Sequence, residues 1–114
     1  MYYMIGYDRC STCIKAMKHL KEKNISFEFY DVKKNPPTQK QLLDLLSRVQ
    51  NKDLFWNTSG KLYREYEIKS KKNEYSKEKM AILLSEETML IKRPILYNDD
   101  CLIIGYKKDV YDNL

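Results

Sequence analysis

The sequence predicts an α/β fold built on a mixed sheet. Two observations carry that expectation. A strand-like apolar run, Met1–Gly6, is followed by helical spacing and then by a β-rich stretch, Ser26–Val32. Near the other end, the triplets Ile95-Leu96-Tyr97 and Leu102-Ile103-Ile104 flank the turn Asn98-Asp99-Asp100 and read as a β-hairpin.

The first helix is expected from about Ser11 or Thr12 to Lys23. Cys13, Ala16, Met17 and Leu20 fall on one face at helical spacing, and Lys15, Lys18 and Glu22 fall on the other. Asn24 is a natural C-terminal stop. In the stretch that follows, Phe27, Phe29 and Asp31 alternate with Glu28, Tyr30 and Val32, as in a strand. Strand, helix and strand within about 30 residues make a βαβ unit, whose two strands are parallel.

Pro36-Pro37 ends this unit. Thr38 follows as an N-cap, with Gln41 placed to complete a capping box, and a helix continues through Leu42, Leu43, Leu45, Leu46 and Val49. Short helical pieces are expected between Lys52 and Ile68 around the turn Asn57-Thr58-Ser59-Gly60. Another helix starts near Ser76 and carries Met80, Leu83 and Leu84. Arg93-Pro94 breaks the pattern before the hairpin, Gly105 ends the hairpin, and Lys107–Leu114 forms a last short helix. The order is βαβ, helices, ββ, then a helix. This is a thioredoxin-like order, read as a single domain over residues 1–114 with a helical insertion from about residue 38 to residue 90.

Composition narrows the function. A chain of 114 residues is long enough for one domain with a core and too short for two. Nothing approaches the roughly 20 apolar residues of a membrane span. The start of the chain does not read as a secretory signal, so a cytoplasmic protein is expected, with no membrane partner. The net charge is +5, but Glu65, Glu67, Glu74 and Glu78 interleave with the lysine-rich stretch Lys69–Lys79, which reads as a solvated face. No clean basic stripe argues for base-specific nucleic-acid binding. An acidic protein partner or a small anionic thiol fits the balance.

The chemistry centres on Arg9-Cys10-Ser11-Thr12-Cys13. Cys10 falls at a helix N-terminus, where unpaired N–H groups and the helix dipole favour an anion. A thiol there ionises more easily, and the thiolate is the reactive form. Cys13 lies one turn deeper on the same face, within disulfide range. Cys10 is therefore read as the attacking sulfur and Cys13 as the resolving one. The plainer alternative is two buried cysteines acting as small apolar fillers. Arg9 and Arg93 would lower the Cys10 pKa further if they approach it, although Arg9 reads equally well as a solvent-facing loop residue. Ser11 and Thr12 are candidates to donate hydrogen bonds to the sulfur, with Ser11 better suited to capping the helix. Cys101 reads as an unpaired strand thiol and His19 as a surface residue. No metal or cofactor is expected, because a zinc site needs four ligands and only chance would gather them here. Of the ten tyrosines, Tyr2, Tyr3, Tyr7, Tyr30, Tyr63, Tyr66 and Tyr106 read as half-buried packing residues rather than as an exposed aromatic surface.

Three stretches resemble the arsenate reductase (ArsC) and Spx family: Cys10-Ser11-Thr12-Cys13 with Lys15-Ala16; Phe55–Glu65; and Leu90-Ile91-Lys92-Arg93-Pro94-Ile95 with Gly105-Tyr106. The resemblance implies a thioredoxin-like fold with an inserted helical subdomain. It implies Cys10 as the redox-active sulfur, Arg93 beside it, and Pro94 near the site in a cis peptide bond. Arsenate-reducing members carry one catalytic cysteine and several arginines that hold the oxyanion. Here only Arg93 matches, and the other positions fall near Asn57 and at Gly105-Tyr106. A multiply charged oxyanion needs several charge-assisted donors to leave water, so the departure points away from arsenate. The second cysteine instead matches the branch that includes the Spx-type regulators and arsenate reductase-like proteins.

Two functions follow. One is a thiol-disulfide oxidoreductase drawing electrons from glutaredoxin, thioredoxin or a low-molecular-weight thiol. The other is an Spx-like regulator whose Cys10–Cys13 disulfide switches a contact with the RNA polymerase α subunit.

Overall fold

The computed structural model describes all residues, 1–114. Four strands, β1 (Tyr2–Gly6), β2 (Phe27–Asp31), β3 (Ile95–Tyr97) and β4 (Leu102–Ile104), form one sheet in the order β2-β1-β3-β4. β1 runs parallel to β2, as the βαβ reading requires, while β1–β3 and β3–β4 are antiparallel. The sheet is therefore mixed, and the thioredoxin-like α/β class stands.

Helices α1 (Ser11–Glu22), α2 (Gln39–Ser47), α3 (Lys61–Glu65), α4 (Ile68–Lys71), α5 (Lys77–Glu86) and α6 (Lys108–Asp112) follow the expected order. Asn24 ends α1 with φ 57°, the left-handed conformation in which asparagine is tolerated. Thr38 and Gln41 close the capping box of α2, and the Ser76 hydroxyl caps α5. α2 stops at Ser47, short of Val49. Glu67 takes φ 53°, which breaks the segment between α3 and α4. No helix is long and apolar enough to cross a membrane.

The chain forms two compact units. One comprises Met1–Asn35 and Arg93–Leu114. Its core is Met4, Ala16, Leu20, Leu96 and Tyr111, flanked by Tyr2, Met17, Phe27, Phe29, Ile103 and Tyr106. α6 packs on α1, and the Lys23 ammonium bonds the terminal carbonyls of Tyr111, Asp112 and Leu114. The other unit, Pro36–Lys92, packs α2 against α5. Within it, Trp56 bridges Ile91, and the Lys92 N–H donates to Phe55 at 2.8 Å. That bridge joins two of the stretches that carried the family resemblance.

Candidate active site

The register of the sheet gathers the site. β1 finishes at Gly6, and the turn Tyr7–Cys10 leads straight into α1, with the Cys10 N–H bonded to the Tyr7 carbonyl at 3.0 Å. Ile5 pairs with Ile95, so Arg93 and Pro94, just ahead of β3, reach the same end of the sheet. The Arg93–Pro94 bond is cis. Tyr3 pairs with Tyr97 and Tyr97 with Leu102, which carries Cys101 to the opposite end.

Cys10 holds the N-cap position of α1 and is partly exposed. Ser11, the expected cap, is instead the first helical residue and is exposed; its hydroxyl sits one position too late to bond the free N–H groups. No conventional side-chain cap closes this helix. The backbone N–H groups of Cys13 and Thr12 turn toward the Cys10 sulfur. Thr12 thus contributes its backbone amide.

Burial pushes the Cys10 thiol up, but it is outweighed. The Cys13 N–H, the Cys13 thiol, the Arg93 charge and the Thr12 N–H together hold Cys10 below the ordinary thiol value. Cys13 is fully buried and is pushed up to about 12, chiefly by that burial. The pair is thus split: Cys10 is the more easily ionised sulfur, and the Cys13 thiol is hydrogen-bonded to it. Both are free thiols in this structure.

Gly6 makes room for the second sulfur. A Cβ there would stand 2.8 Å from a Phe29 ring carbon and 3.1 Å from the Cys13 sulfur. Such distances require the neighbours to move. Asp31 pins the adjoining loops. Burial works against its charge, but the N–H groups of Lys33 (2.8 Å), Asp8 (3.0 Å) and Lys34 (3.1 Å) hold the carboxylate below its usual range. Lys34 also pairs with Asp8 at 2.9 Å.

Arg9 is exposed, and its charge is felt at Lys34. Cys101 is partly exposed and bonds the Tyr2 side chain. Tyr2, Tyr3, Tyr7, Tyr30, Tyr63, Tyr66 and Tyr106 are half-buried, as expected of packing residues. His19 corrects an expectation. Its side chain is only 10% exposed, with Nε2 2.8 Å from Asp112 and Nδ1 2.8 Å from the Tyr106 hydroxyl. Partners 87 and 93 positions away along the chain draw it inward, which its place on α1 does not reveal.

A family model described as the ArsC family matches residues 5–114. The chain belongs to the ArsC family. It is 34% identical over 108 residues to the uncharacterized protein YusI of Bacillus subtilis, covering 93% of this chain and 91% of that protein. It is 28% identical over 102 residues to the global transcriptional regulator Spx of Streptococcus agalactiae, covering 88% of this chain and 72% of Spx. The crystal structure of a possible arsenate reductase from Streptococcus mutans superposes with a TM-score of 0.86 at 35% identity, covering 94% of this chain and 92% of that one. An ArsC-family redox role fits the paired cysteines at the head of α1.

Proposed function

We propose that this ArsC-family protein exchanges thiols and disulfides through a Cys10–Cys13 dithiol centre, with Arg93 as the third member of the site. One observation carries the reading: an anion-favoured, partly exposed Cys10 hydrogen-bonded to a buried Cys13 thiol. The Cys10 thiolate attacks a substrate disulfide, forming a mixed disulfide and releasing one thiolate. Cys13 loses its proton to solvent or to the departing thiolate. It then attacks the Cys10 sulfur, closing the Cys10–Cys13 bond and expelling the second thiolate. Two electrons pass from the dithiol to the substrate. A reductant of the thiol class (glutaredoxin, thioredoxin or a low-molecular-weight thiol) returns them. The chain then works as one domain with a helical insertion, in a reducing cytoplasm where three free thiols persist.

Arsenate is a weaker fit. Of the arginines that hold the oxyanion in arsenate-reducing members, only Arg93 has a counterpart. The Tyr106 hydroxyl, in the last of those positions, is engaged with His19.

The similarity to Spx supports a second reading, in which the same disulfide governs a contact with the RNA polymerase α subunit. Both readings share a first test. Mild oxidation of the whole protein, followed by mass mapping, should give a Cys10–Cys13 link and leave Cys101 free. A main disulfide containing Cys101 would overturn the centre. Turnover of a small disulfide with thioredoxin or glutaredoxin then supports the enzyme, and redox-dependent capture of the α subunit without turnover supports the regulator.

A further inference from the structure

Tyr7 threads the centre with its backbone and flanks it with its ring. Its carbonyl accepts the Cys10 N–H at 3.0 Å, and its own N–H is directed at the Cys13 sulfur. Its half-buried ring has two cations against it. The Lys33 Nζ lies 5.7 Å from the ring centroid and the Arg93 Cζ lies 5.8 Å from it. Both distances fall within the roughly 6 Å over which the electron-rich face of an aromatic ring attracts a cation. A guanidinium, planar and weakly hydrated, suits such a face well.

The surrounding charges leave that arrangement coherent. Asp8 is paired with Lys34, and the Asp31 carboxylate accepts three backbone N–H groups. One of those belongs to Lys33, so the backbone that carries this cation is fixed beside the Tyr7–Asp8 turn. Arg93 is a long side chain with much rotamer freedom to lose. Its charge helps the Cys10 sulfur only while it is held nearby, and its influence there is already evident.

We propose that Tyr7 is a positioning residue of the Cys10 centre: its ring holds the Arg93 guanidinium, with Lys33 as a second cation, where that positive charge acts on the Cys10 sulfur. The aromatic face does this work, and the phenol hydroxyl is dispensable. The proposal rests on the reading of Cys10 as the attacking sulfur.

The test is the pH profile of iodoacetamide alkylation at Cys10, followed by peptide mass in the reduced full-length protein. Tyr7→Phe should keep the wild-type profile. Tyr7→Leu should move the midpoint up, in the same direction as Arg93→Gln and by no more. Below the midpoint the rate should fall about two- to fivefold, the size of one exposed cation–π contact. In the Arg93→Gln background, Tyr7→Leu should add almost nothing, because only Lys33 then remains on the ring and it is the Arg93 charge that reaches Cys10. Replacing Tyr7 by trifluorophenylalanine keeps the shape and drains the ring face of charge. It should behave like leucine, and it keeps the test open if Tyr7→Leu fails to fold.

A folded Tyr7→Leu or trifluorophenylalanine protein with the wild-type profile overturns the proposal. So does an equal shift with and without Arg93. A wild type in which Cys10 alkylates as an ordinary thiol overturns instead the reading on which the proposal rests.

Discussion

Helix α2 begins on a hydroxyl, and helix α1 begins on a sulfur. At α2, the Thr38 side chain accepts the Gln41 N–H at 3.1 Å while the Gln41 side chain accepts the Thr38 N–H at 2.9 Å. The first turn is closed by its own side chains, and nothing reactive remains. At α1, Cys10 occupies the equivalent position, no conventional cap forms, and the N–H groups of Thr12 and Cys13 face a sulfur that they make easier to ionise. The same backbone feature closes a helix start in one place and favours an ionised sulfur in the other. What differs is the atom at the cap.

The sharpest way to break the contrast is Cys10→Ser, which turns the second kind of start into the first. Alkylation at this position should be abolished. Stability should hold or rise by up to about 1 kcal/mol, because serine is a preferred cap. Iodoacetamide mapping and urea unfolding measure the two effects, and persistent fast alkylation at the head of α1 would remove Cys10 from its role.

A smaller effect separates the two sulfurs by pH. Folding lowers Cys10, so its contribution to stability is fully present above the ordinary thiol value and is lost as pH falls through the lowered folded one. Folding raises Cys13, so its contribution is fully present below the ordinary value of 9.0 and is lost as pH rises toward about 12. The reduced protein should lose stability across that alkaline window, and Cys13→Ala should flatten the slope. Urea midpoints measured along the window decide it, and an unchanged slope would mean that Cys13 is not held as a buried thiol.

The mildest prediction concerns α2. Thr38→Ala should cost about 1 kcal/mol and leave the Cys10 alkylation profile where it was. A shift in that profile would show that the two helix starts are not independent.

Most of the fold was legible because its signals are local. Alternation marked β2, the Thr38–Gln41 spacing marked the start of α2, and Asn24 marked the end of α1. The Cys10 and Cys13 pair was legible for the same reason, since both lie within one helical turn. Arg93 was legible only through family resemblance, because nothing near it in sequence ties it to Cys10. Tyr7 gave no signal, since its cations come from positions 33 and 93. His19 misled, because its partners lie beyond β4. Ser11 misled because a hydroxyl beside a helix start looks like a cap, and a one-residue offset decides whether it is one.

The hydrogen atom that serves as the side chain of Gly6 has a consequence for anyone transplanting this motif. Installing Cys-x-x-Cys at the head of a helix in another scaffold copies the outer sulfur readily, since it sits at the rim. The inner one needs a niche behind it, and here β1 supplies that niche by presenting no carbon between the Phe29 ring and Cys13. A host strand bearing alanine at the matching position would bring a carbon to 3.1 Å from the inner sulfur and 2.8 Å from the ring behind it, so that one or both must shift before the pair can sit as it does here.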